Sequence, residues 1–327
     1  MRWIDATRGL CGIAVVAHHA VALAARAGSA DQVASTIDDA LAPFRMPLLM
    51  LLSGAVAAHT LDRPLTAFTT RRWRTVVWPY LLWSVVILAV TGTLTPGSVL
   101  RIATVAPTYL WFLQFLVAYA FIAWVLRRVG VPPLVLALPA LVASGFLPEA
   151  HRADRFAYLV AFFLVGVALG SVRYPRPLRG PTIVIGGAAA IVGLVAATTG
   201  ADIRYDPLWA WAPLGGALAL IAACSTAKRR IERANAVLDP LARLGRNAVV
   251  VYVTHLVTIT LVLRVIGDAG LSTAAVLVAT MGAALGVAAL LASCRRLRVV
   301  DALFVFPVRA APRVSRPRAP DPATRRT

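Results

Sequence analysis

Lysine is almost missing from this 327-residue chain: Lys228 stands alone, and arginine supplies every other basic side chain. Cysteine is scarce as well. Cys11, Cys224 and Cys294 are odd in number and share no motif spacing, which argues against a disulfide framework and against a zinc site. Acidic residues number only 14, and none is expected inside a membrane span. Proton-coupled transporters commonly depend on membrane carboxylates, so this gap counts against an exporter. The net charge of +19 is spread between apolar stretches, not gathered into one patch with aromatics, which argues against nucleic acid as a partner.

Apolar residues are what the chain has in excess. They make up 59% of it, and the mean hydropathy is +0.77. Ten segments are long enough to cross a bilayer as helices, at about 8–27, 42–60, 74–93, 108–126, 131–147, 156–172, 181–200, 207–226, 247–267 and 272–293. The fifth and sixth are the weakest, being short, and the fifth carries Pro132, Pro133 and Pro139. An all-α, polytopic membrane protein of about ten transmembrane helices follows. Short loops leave one membrane domain over 1–300. The basic Pro/Arg-rich stretch 301–327 is expected to be a disordered cytoplasmic tail held against anionic lipid. The start of the chain is similar to a signal peptide, but Asp5 and His18–His19 interrupt that pattern and point to an uncleaved first span.

Ten spans place 26 of the 33 Arg and Lys residues on the side that holds both termini. The positive-inside rule makes that side the cytoplasm. Orientation then fixes depth. Arg8 and His19 lie eleven residues apart, three helical turns plus roughly 20°, so they share a face about 16 Å apart. Arg8 sits at the cytoplasmic edge and His19 near the midplane. His255 lies about 12 Å inside the ninth span, at a similar depth on another helix. Intramembrane ionisable groups cost several kcal/mol and tend to be functional, and neutral imidazole suits a general base near pH 7. His18 points about 100° away from His19 and is expected to pack against a neighbouring helix.

Other features have plainer readings beside the functional one. Arg45 opens the second span on the sparsely charged side, either facing an external anion or snorkelling to the interface. Ser53–Gly54 permits close helix approach. Arg71, Arg72 and Arg74 set topology, or grip the phosphates of a cytosolic donor. Pro79 kinks the third span. Tyr109 to Phe112, with Trp111, fit an aromatic belt. Asn247, Tyr252 and His255 share the ninth span as a polar helix contact or a site.

Taken together, these residues are similar to a known pattern. Asp5-Ala6-Thr7-Arg8-Gly9, with ten residues between Arg8 and His19, resembles the opening signature of acyltransferase family 3. Phe44-Arg45-Met46-Pro47 to Ser53-Gly54, Arg71 to Pro79-Tyr80, Leu110-Trp111-Phe112-Leu113, Phe163 to Gly166, Leu244 to Asn247 and Tyr252 to His255 follow in the family's order. Ala248 stands where many relatives carry serine, and Leu48–Leu49 replace the usual phenylalanines.

The resemblance implies an integral plasma-membrane acyltransferase of a bacterium. Such a protein moves an acyl group, usually acetyl, from acyl-CoA to a hydroxyl of a glycan, glycolipid or small molecule, as in O-acetylation of polysaccharide. It casts His19, Arg8 and His255 as catalytic, with His19 the general base or transient acyl carrier. Arg8, Arg71, Arg72 and Arg74 would bind the donor, and Arg45, Trp111, Tyr252 and Asn247 the acceptor. No bound metal or permanent cofactor is expected. The rival readings are a ten-helix exporter and a haem ligated by His19 and His255.

Overall fold

The computed structural model describes residues 2–29, 31–171, 180–226, 235–266 and 269–307, and these are helical throughout with connecting turns. The long elements are α1 (Arg2–Arg26), α2 (Gln32–Ala58), α3 (Leu65–Arg72) running through a π turn (Trp73–Val77) into α4 (Trp78–Val90), and α6 (Trp111–Arg128). After them come α8 (Ala153–Ser171), α9 (Gly180–Thr198), α10 (Trp211–Thr226), α12 (Ala248–Ile266) and α13 (Thr273–Cys294). Shorter ones are α5 (Pro96–Arg101), α7 (Pro133–Ser144), α11 (Asn235–Arg246) and α14 (Arg298–Ala302). Among the described residues nine helical stretches are long and apolar enough to cross a membrane.

The fifth expected span is the exception, reduced to the 12-residue α7, about 18 Å of helix. Two prolines open it and Pro139 interrupts it. Its two ends still lie at opposite ends of the bundle. The preceding Arg127 pairs with Asp62, and the following Gly145 packs on Pro207. The alternation of the chain is therefore kept. Val184, Ile185, Ile191 and Val195 on α9 and Leu134, Val135 and Leu138 on α7 are exposed. A belt of this kind suits lipid, not water.

The helix α1 is central, packed against α2, α11, α12 and α13. Two close approaches fix its neighbourhood. Gly9 faces the Leu241 carbonyl of α11, and Gly245 faces the Asp5 carbonyl of α1, so these antiparallel helices touch backbone to backbone. Gly54 on α2 and Gly166 on α8 face Phe163 and Leu51 in the same way, which joins the Ser53–Gly54 pair to the Phe163–Gly166 motif. The helix α1 begins at Arg2, with Asp5 in its first turn.

Two further differences from the sequence reading have local causes. The π turn lies just ahead of Pro79, which has no N–H for a carbonyl one turn back, so the ladder widens there. The expected tail boundary at 300 falls inside a packed segment. Trp78 and Trp83 indole N–H groups donate to the carbonyls of Ala302 (2.7 Å) and Leu303 (3.1 Å), and buried Phe304 stacks on Trp83. Docking continues to Phe306, whose backbone N–H and C=O both pair with Arg74. The remaining tail, 308–327, lies outside the described residues.

Candidate active site

His19 and His255 meet in the middle of the bundle, with ring centroids 5.0 Å apart. α1 brings His19 and α12 brings His255 in from the same end, as their equal depth requires. His255 is fully buried. Its Nδ1–H donates to the Val251 carbonyl at 3.1 Å, and its Nε2 is buried without a partner among the described residues. A fully buried unpartnered nitrogen is costly unless something else uses it. At 5.0 Å the two rings stand closer together than two axial ligands on opposite faces of one haem.

Three cavities lie along the axis through this pair. Nearest the arginine-poor end is a wide polar vestibule of about 500 Å³, bounded by Asp39, Glu149, Asp154 and Asp202 against Arg155 and Arg204. It shares Ala42, Arg155, Arg204 and Tyr205 with a smaller cavity of about 130 Å³, on whose walls stand His18, His19, Arg45, Trp111 and Tyr252. Beyond the histidines runs an apolar slot of about 60 Å³ that has His255 at one end and Arg8 at the other. Val15 and Tyr252 form the common wall of slot and cavity. Arg8 contributes a second buried nitrogen, its Nε, without a partner among the described residues. Ser53, Val76 of the π turn, Leu49 and Ala248 also face the slot. Of the three positions at which the sequence departs from the family pattern it resembles, Leu49 and Ala248 line this slot.

The sequence-predicted residues divide plainly. Arg8, His19, His255, Trp111 and Tyr252 gather around this axis. Arg45 also reaches it, and does not snorkel to the interface. It is 8% exposed, ion-paired to Asp38 seven residues earlier on α2, and its other nitrogen is 3.2 Å from His18. Asn247 is not brought to the site, because its side chain donates to Arg243 O and accepts from Arg295 at the arginine-rich end. Of the three clustered arginines, Arg71 and Arg74 line one surface groove with Arg63. Arg72 turns away, over the Phe68 ring and onto Thr60.

Sequence reasoning missed four contributors. Asp38 lies on a membrane-spanning helix, so the expectation that no carboxylate does so is corrected. That carboxylate is held by both Arg45 and His18, which makes it a poor free proton carrier and leaves the case against an exporter standing on other grounds. His18 belongs to the site instead of merely packing on a neighbour, its ring 4.8 Å from that of His19. Tyr109, read as belt, lies edge-on to both histidines at 6.0 and 4.9 Å, and its hydroxyl donates to Val253 O at 2.5 Å. Tyr205 packs beneath Arg155, 5.2 Å away, and burial raises its phenol above the ordinary value.

The loops at this end are strained. Thr108, His151, Arg152 and Tyr205 all hold positive φ between 46° and 61°, each costing of order 1 kcal/mol or more. Arg152 ties two of these loops together by donating to the Thr108 carbonyl at 3.3 Å. Strain of this kind collects where a loop must aim a side chain, here Tyr109 and Tyr205.

A family model described as an acyltransferase domain, that of acyltransferase family 3, matches residues 1–293. No curated protein matches the chain, and no solved structure does.

Proposed function

Because the chain belongs to acyltransferase family 3, we propose that it carries an acyl group, acetyl in the simplest case, across the membrane plane from cytosolic acyl-CoA to a hydroxyl. The acceptor would be a glycan, a glycolipid or a small molecule reaching the site from the arginine-poor end. The family membership and the apolar helices long enough to cross a membrane support this reading.

One observation carries the reading: His19 and His255 stand where a polar cavity and an apolar slot share a wall, and Arg8 closes the far end of the slot. A thioester on a thin pantetheine arm suits an apolar channel, and a hydroxyl acceptor suits a polar one. Arg8 then offers its free Nε–H to a donor carbonyl, while Arg71 and Arg74, with Arg63, offer guanidinium to the donor's phosphates. Arg72 is spoken for by Phe68 and Thr60. At about 60 Å³ the slot holds only a few water molecules' worth of space. Donor access therefore requires leucines along it to turn aside. His19 either takes the hydroxyl proton or carries the acyl group briefly, and His255, whose Nε2 is an acceptor once Nδ1–H donates to Val251 O, orients it. Replacing His19 with alanine is expected to abolish transfer of label from radioactive acetyl-CoA while leaving expression and donor binding unchanged. Undiminished transfer by His19→Ala contradicts the assignment.

A further inference from the structure

The outer cavity holds a second imidazole better equipped to move a proton than His19. His18 Nδ1 lies 2.8 Å from Asp38 Oδ2. A carboxylate only accepts and a guanidinium only donates, so Nδ1 can serve one of its two neighbours: it donates to the nearer Asp38 at 2.8 Å and does not accept from Arg45 at 3.2 Å, and its remaining nitrogen, Nε2, has no partner among the described residues. The ring is 29% exposed, on a cavity wall, whereas Asp38 behind it is 12% exposed. Arg45 holds the other carboxylate oxygen and lies 3.2 Å from the same Nδ1, which leaves the Asp38–Arg45 pair without net charge. A carboxylate fixing one imidazole nitrogen so that the other faces a hydroxyl is the arrangement that general-base catalysis needs.

We infer that His18 is the base that takes the proton from the acceptor hydroxyl, with Asp38 as its positioning residue. The inference rests on the acyltransferase reading and deepens it, since it leaves His19 to face the acyl group. In this step the hydroxyl O–H bond breaks onto His18 Nε2 while the oxygen bonds the acyl carbonyl carbon. The C–S bond of the thioester breaks, and sulphur leaves as thiolate. The proton returns to it from the His18 imidazolium by way of His19, 4.8 Å from ring to ring. Ester and thiol are the only products, and no other reactant is required.

Membrane vesicles from cells that carry the native chain supply whatever acceptor it uses, with [14C]acetyl-CoA as the probe. Acetyl-CoA binding to the purified full-length variant normalises each rate for folded protein. His18→Gln keeps the Asp38–Arg45 pair and is expected to slow label transfer by about 10²-fold or more at an unchanged KM for acetyl-CoA. Asp38→Asn is expected to lower kcat in the same direction, with partial recovery in Asp38→Glu. A merely structural role would lower the amount of binding-competent protein, not kcat per binding site. Wild-type kcat in His18→Gln overturns the inference and leaves the acyltransferase reading intact. No label transfer by the wild-type protein overturns both.

Discussion

A single methyl group at Gly9 tests how the catalytic face of α1 is held. A Cβ there would lie 2.9 Å from the Leu241 carbonyl carbon and 3.2 Å from the Gly245 nitrogen, with the carbonyl oxygen closer still. Ordinary contacts between carbon atoms sit at about 3.5–4.0 Å, and the closer carbonyl oxygen sets the limit, so α1 and α11 must part by roughly 1 Å. Backbone on the far side has no rotamer with which to give way. Overpacking of this kind costs about 1–3 kcal/mol. Arg8 is the adjacent residue and moves with the helix, and a displacement near 1 Å at a reacting group costs on the order of 10²-fold in rate. Gly9→Ala is thus expected to lower the thermal unfolding midpoint and to reduce acetyl transfer ten- to a hundredfold in detergent-purified protein. Gly187→Ala is the control, because a Cβ at Gly187 meets nothing within 4 Å. If Gly9→Ala matches Gly187→Ala in both midpoint and rate, the argument that these glycines set the position of Arg8 is refuted.

Three further outcomes follow from the same geometry. Arg8→Lys removes the unpartnered Nε–H and shortens the planar reach of the side chain, so the KM for acetyl-CoA should rise at least several-fold, read by initial rates. Ala248→Phe projects a ring into the slot and should weaken acetyl-CoA binding in titration calorimetry while leaving the unfolding midpoint within a few degrees of wild type. Phe304→Ala deletes a fully buried ring stacked on Trp83, which should cost about 3–5 kcal/mol and open the segment 302–306 to proteolysis. Protection of that segment as in the wild type would contradict its docking.

The helices and the convergence of Arg8, His19 and His255 were legible because both rest on periodicity: apolar runs long enough to span, and a fixed rise per residue. The close approach at Gly54 was legible for a related reason, since a small residue in a lipid-facing helix has few other uses. Asp38 was not. A hydropathy window starts the second span at residue 42, whereas the helix starts at Gln32, capped by the Asp31 side chain on Ala34 N–H. The signal was present, because Asp38 and Arg45 are seven residues apart and so lie on one face. His18 followed Asp38 into obscurity, since its role depends on a partner from another helix. Tyr109 was hidden by local backbone: an aromatic before a span reads as an interfacial belt, and only the left-handed Thr108 beside it turns that ring inward. The amphipathic α11 escaped because it is short and charged at its end, and its purpose, to back the N-terminal half of α1, is a tertiary fact. Asn247 was misplaced by treating proximity in sequence to His255 as proximity in space, although eight residues of helix separate them by about 12 Å.

The central claim is that the donor reaches the histidines from the arginine-rich end and the acceptor from the other. Sealed vesicles of opposite orientation, each given [14C]acetyl-CoA outside, test it most directly. Transfer is expected only where the face bearing Arg71 and Arg74 is exposed to the donor. Equal transfer in both orientations, or transfer confined to the opposite one, contradicts the account.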